Sequence, residues 1–131
     1  MLRKLLINKA PMLALALALV VTLPSVSRAE YLRGQPIYVQ NTSPRPIWVA
    51  AKYMTPGSNC FVTNGFWQVA PGQSVRVLYN SNRWIYFYAR DDNGNVWAGD
   101  ATTGVVNGEM LNMGQYDTGL CFDPWTITFG P

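Results

Sequence analysis

From residue 36 onward, short apolar runs alternate with turn residues, and no stretch repeats its apolar positions every three to four residues for long enough to make a helix. That is the pattern of an all-β chain. The spacing predicts strands near 36–41, 46–53, 60–63, 66–69, 74–79, 84–91, 95–99 and 125–129. Between them, Asn64-Gly65 and Asn93-Gly94 suit type I′ hairpins, Pro71-Gly72 suits a type II turn, and Ser81-Asn82 suits a two-residue loop. The result is a central meander over residues 60–99, with two strands before it and at least one after. Such a set of short strands fits a small β-sandwich or a partly open barrel.

These turns carry register predictions. If Ser81-Asn82 closes a hairpin, Trp84 pairs with Tyr79, Tyr86 with Val77 and Tyr88 with Val75. Both faces of 84–91 then come out apolar, as expected of a central strand covered on both sides. A change of one residue in loop length would alter every pair. A two-residue hairpin at Asn93-Gly94 sets Arg90 opposite Trp97, a cation–π pair worth about 0.5–1 kcal/mol at an exposed site. Residues 101–120 are rich in Gly, Asn and Thr. They read as a long loop holding one short strand, either a plain crossover between sheets or the seat of a function.

The first 29 residues have a different pattern. Arg3, Lys4 and Lys9 precede an apolar stretch from Met12 to Leu23, and Ser27-Arg28-Ala29 offers a small-x-small cleavage site. This is the layout of a signal peptide, and the stretch is well short of the roughly 20 residues a spanning helix needs. Cleavage after Ala29 leaves a single domain, 30–131, with no transmembrane segment, expected in the periplasm or outside the cell. The whole chain has 10 basic and 7 acidic residues, but four of the basic ones lie in the leader. The mature domain is therefore close to neutral, which argues against nucleic acid or an anionic membrane as its partner.

Export changes the reading of the cysteines. Cys60 and Cys121 are the only two, and an even pair in a small exported domain is most simply one disulfide. Closing so long a loop contributes about 4 kcal/mol in the chain-entropy model. A redox or metal site lacks its parts, because the chain has no Cys-x-x-Cys and no His. Without His there is also no Ser-His or Cys-His nucleophile pair. Lys52 reads as a solvent-facing strand residue.

A carboxylate couple drawn from Asp91, Asp92, Asp100, Glu109, Asp117 and Asp123 stays open, although Asp91 and Asp92 sit where a turn already favours Asp. The segment Asp91 to Asn95 resembles a calcium loop only superficially, since Val96 and Thr102 stand where that pattern needs Gly and Glu. Asn41-Thr42-Ser43 is a formal N-glycosylation acceptor. No catalytic residue, metal or cofactor is expected.

The positive signal is aromatic. All 17 Phe, Trp and Tyr residues lie in the mature domain, where the polar surface is mostly Asn, Gln, Ser and Thr. Strands favour aromatics for core packing, so any one of Trp48, Trp67, Trp84, Trp97 and Trp125 is either core or contact platform. Trp97 is the leading contact candidate because its strand is short and near an edge; Trp84 and Arg90 accompany it.

Several stretches resemble a family of small exported bacterial domains of unknown function, number 1036 in that series. They are Gln40-Asn41-Thr42, Ile47 to Tyr53, Gly65 to Gly72, Ile85 to Arg90, Trp97-Ala98-Gly99-Asp100 and Tyr116-Asp117. Family members often carry a Cys after the Pro-Gly turn, where this chain has Ser74. The resemblance implies an exported β-rich domain and transfers no substrate or catalytic residue. The expected function is a non-catalytic binding module for a neutral partner, such as a glycan or an envelope protein. A structural or accessory subunit of an envelope assembly is the alternative, and a carboxylate hydrolase comes third.

Overall fold

The computed structural model describes residues 33–119 and 122–131. The expected leader and Cys121 lie outside them. The described residues form nine strands: β1 (Gln35–Asn41), β2 (Ile47–Met54), β3 (Phe61–Val69), β4 (Ser74–Asn80), β5 (Trp84–Arg90), β6 (Val96–Trp97), β7 (Thr102–Val106), β8 (Glu109–Asp117) and β9 (Trp125–Phe129). Among these residues no helix is long and apolar enough to cross a membrane.

A three-stranded sheet, β4-β1-β9, faces a larger sheet ordered β3-β2-β5-β8-β7, with β6 paired to the far half of β5. β1 and β9 run parallel; the other pairs are antiparallel. The main core lies between the sheets. Alternate residues of β2 (Ile47, Val49, Ala51) and β5 (Ile85, Phe87, Ala89) meet Ile37, Val39, Leu78, Ile127 and Phe129. The larger sheet then curls into a half-barrel. Its inner face buries a second, smaller cluster in which Ala50, Val106, Leu111 and Met113 pack with Phe66, Tyr86 and Tyr88. Strand β5 is therefore central and covered on both sides, as its composition implied.

The all-β class, the sandwich-like pairing of sheets and six of the strands match the sequence reading. Other details are corrected. The residues around Ser81-Asn82 do not close a hairpin; they cross from one sheet to the other, so β4 pairs with β1 and never with β5. The crossing is held by β2 instead: Ser81 N–H donates to Met54 O (2.9 Å), and the buried Asn80 Oδ1 accepts from Met54 N–H (3.1 Å). Trp84 and Tyr79 thus lie in different sheets, and the central meander is broken. Pro71-Gly72 does turn as expected, with Gly72 at φ 77° and Gln73 N–H donating to Ala70 O (3.0 Å), but it too joins the two sheets.

Asn64-Gly65 is not a turn either. It lies inside the continuous strand β3, where a bulge sets Gly65 and Phe66 against Ala50 and the Gly65–Phe66 peptide is cis. A Cβ on Gly65 would stand 2.9 Å from Ala50 Cα, so the glycine serves close backbone approach rather than chain reversal.

Residues 101–120 are mostly strand. Asn107 (φ 50°) and Gly108 (φ 80°) form the type I′ turn of a β7–β8 hairpin that folds over the inner face. Lys52 belongs to that face as well. Its Nζ, half-buried rather than solvent-facing, donates to Thr102 Oγ1 and Thr103 O of β7, each at 3.0 Å.

Finally, Cys60 is an exposed thiol without a disulfide partner among the described residues, and Cys121, its expected partner, lies outside them.

If the fold centres on β5, Phe87→Ala lowers the unfolding free energy in urea by about 3–5 kcal/mol. Thr128→Ala, on the outer face of β9, changes it by less than about 0.5 kcal/mol. Equal losses from the two would contradict this core.

Candidate functional site

The turn between β5 and β6 builds the site. Asp91 N–H donates to Asn95 O (3.0 Å), leaving Asp92, Asn93 and Gly94 as a three-residue loop, with Gly94 at φ 88°. The Asp91 side chain closes it from inside. Its Oδ1 accepts from Asn93 N–H and Asn95 N–H (2.9 Å each), and its Oδ2 accepts from Asn95 Nδ2 (2.7 Å). Chiefly through the Asn95 side chain and then these backbone donors, the Asp91 carboxyl is held below its ordinary pKa of 3.8.

A loop of three residues instead of two moves the ladder by one. Trp97 therefore pairs with Ala89, and Arg90 with Val96. The expected Arg90–Trp97 cation–π pair does not form, because a one-residue shift turns the two side chains to opposite faces. Trp97 turns toward the main core, edge to face with Phe129 (6.0 Å), and its Nε1–H donates to Gly130 O (3.0 Å). Arg90 turns to the inner face of the half-barrel. There its guanidinium lies 4.5 Å from the Phe66 ring centroid, and Nη1 donates to Glu109 Oε2 at 2.6 Å.

Trp84 shares the Arg90 face of β5 but stands at the strand's other end, under the Arg83 guanidinium (5.0 Å). Arg90, Trp97 and Trp84 are thus three separate features.

Trp97 does line a cleft of about 370 Å³, with Ser43, Arg45, Asp91, Asn93 and Asn95 around it and Pro131 at one side. The β1–β2 loop forms the opposite wall. Its shape comes from Asn41, whose Nδ2 donates to Arg45 O (2.7 Å) and Val69 O (3.0 Å) while its Oδ1 accepts from Ser43 N–H (2.9 Å). Asn41 is 0% exposed with both amide hydrogens engaged, so the formal glycosylation acceptor is a buried structural amide. Arg45 reaches across to Asp92 at 3.4 Å, an exposed pair of small energetic weight.

Of the three candidate contact residues only Trp97 lines this cleft; Ser43, Arg45, Asn93 and Asn95, which line it too, were not among them. The density of Asp and Asn over 91–95 was the available signal, and it read as turn or calcium loop. The structure spends the Asp91 oxygens on N–H donors. Among the described residues no group of three metal-ligating side chains comes together.

Asp117 is the other carboxylate with a resolved shift. It is lowered by the Arg83 guanidinium (2.9 and 2.7 Å) and then by Gly119 N–H. A general acid of a hydrolase needs the opposite shift.

No protein-family model, curated protein or solved structure matches the chain.

A carboxyl whose folded pKa is lowered stabilises the fold fully above its unfolded value and loses that contribution as pH falls through the folded value. The thermal midpoint should therefore drop on acidification below about pH 4. Asp91→Asn should lower the midpoint at neutral pH and flatten this acid limb. An acid limb identical in the two proteins would contradict the role given to Asp91.

Proposed function

We propose that the protein is an exported, non-catalytic binding module whose Trp97 cleft takes a neutral, hydroxyl-rich ligand such as an envelope glycan. The observation that carries this reading is the composition of the cleft, one fixed indole beside serine, asparagine and Arg45, whose charge faces the Asp91 carboxylate of the lining and Asp92 at 3.4 Å. An indole offers apolar contact to the CH face of a sugar, while amide and hydroxyl groups exchange hydrogen bonds with its hydroxyls. Trp97 and Asp91 are already locked by their own hydrogen bonds, so little ordering cost falls on binding. Membership of the exported family that the sequence stretches resemble is part of the same proposal.

Export also carries the Cys60–Cys121 disulfide as a proposal. Phe61, which follows Cys60, pairs with Met54 at the sheet end that also holds Arg83. Residues on either side of Cys121 are tied nearby: Thr118 Oγ1 donates to Arg83 O (2.9 Å), and Gln35 Nε2 donates to Asp123 O (2.9 Å).

One observation favours the accessory-subunit reading as second. Val105 and Met110, cross-strand partners near the β7–β8 turn, are 56% and 70% exposed. Two side chains make a small patch, well short of a stable interface.

The binding reading predicts that the protein co-sediments with insoluble cell-wall polysaccharide and that Asn93→Ala weakens this at least fivefold. Trp97→Phe, which keeps the packing on Phe129, should weaken it in the same direction. Full binding by both folded variants would reject the cleft. The disulfide reading predicts that the exported protein, denatured without reductant, shows no thiol to a thiol reagent; two reactive thiols would reject it.

A further inference from the structure

The end of the half-barrel remote from Trp97 carries a second aromatic feature. Phe61 and Trp84 are each 36% exposed and are the two aromatics among the exposed large apolar side chains of the described residues. They share a face. The pairs Met54↔Phe61 and Lys52↔Tyr86 fix the register on both sides of β2, and continuing the second pair along β5 brings Trp84 beside Met54. Phe61 and Trp84 are thus the ends of one cross-strand row, two strand spacings or roughly 9.5 Å apart.

Each ring has one packed neighbour that fixes it. Tyr86 meets Phe61 edge to face (5.8 Å, 70°). The Arg83 guanidinium lies 5.0 Å from the Trp84 ring and is itself gripped in bidentate fashion by Asp117.

We propose that Phe61 and Trp84 form a second ligand surface, a rigid two-ring platform that takes a linear neutral polysaccharide chain. Three features select this occupant. Two separate rings with Met54 between them are too small for the apolar centre of a protein interface, whereas sugar stacking needs only one ring per sugar. The separation spans about two strands and suits consecutive contacts along an extended polymer rather than one small molecule. The Arg83 charge beside Trp84 is balanced by Asp117, and the Lys52 ammonium keeps its charge but is directed to Thr102 Oγ1 and Thr103 O of β7. The frame therefore favours an uncharged chain.

Strand β5 separates Trp84 from the Trp97 end by its full length, about 20 Å. The platform is thus a site distinct from the cleft.

The test is co-sedimentation of the full chain with insoluble chitin, cellulose and peptidoglycan sacculi. The Phe61→Ala/Trp84→Ala double variant and Asn93→Ala are run beside the unaltered protein, and thermal midpoints confirm folding. We expect the double variant to lose at least tenfold in affinity for one of these polymers and Phe61→Tyr/Trp84→Tyr to recover most of it. A folded double variant that binds as the unaltered protein does overturns the platform, and if Asn93→Ala has meanwhile lost binding, the cleft reading stands alone. Loss confined to the double variant supports the platform and removes the cleft. No pelleting by the unaltered protein on any polymer overturns both. Capture of a soluble envelope protein that requires Phe61 and Trp84, without polysaccharide binding, overturns the assigned occupant.

Discussion

Three N–H groups converge on the carboxylate of Asp91, and the placement of Trp97 beside the cleft depends on that convergence. By gathering Asn93 and Asn95 it stabilises a three-residue loop over a two-residue one. The difference of one residue decides which face Trp97 occupies. In the observed register the indole closes the main core against Phe129 and forms a wall of the cleft. In the other it would share the inner face of the half-barrel with Arg90. The charge needed for this is favoured by the same donors, which hold the Asp91 carboxyl below its ordinary value.

The same strand, β5, organises the rest. Its residues alternate between two buried environments, with Ile85, Phe87 and Ala89 toward the smaller sheet and Tyr86 and Tyr88 toward the curl. The curl is held by polar contacts that reach across it. Lys52 ties β2 to β7, and Arg90 ties β5 to the start of β8. Close approach does the remainder: a Cβ on Gly104 would stand 2.7 Å from the Thr63 side chain, so β7 can lie against β3 only because no side chain intervenes. The result is a wall that is apolar at its centre and aromatic and polar at its open end.

Much of this was legible in the sequence, and the losses have physical causes. Strand β9 was read at its full extent, and β1, β2, β4 and β5 to within about a residue at each end, because alternation of Val, Ile and aromatics is a local signal. Pairing was not legible where a turn dipeptide can serve two purposes. Asn64-Gly65 has the composition of a hairpin, yet its glycine answers to Ala50 across the sheet, a contact no local pattern reveals. Asn107-Gly108 was a true hairpin turn and went unread because its strands are built from Thr, Gly, Asn and Met rather than β-branched and aromatic residues. Trp97 was expected opposite Arg90, and the register differs by one because the turn holds three residues. Arg45 and Ser43 joined it through the buried amide of Asn41, a tertiary arrangement with no sequence signature.

The account stands on the β5–β6 register, and cross-strand contacts measured by nuclear Overhauser effects on the labelled protein in solution test it most directly. The prediction is contact between the backbones of Ala89 and Trp97 and between the indole of Trp97 and the ring of Phe129. Contact of Arg90 with Trp97 in their place would mean a two-residue loop, and with it the cleft and the role of Asp91 would fall.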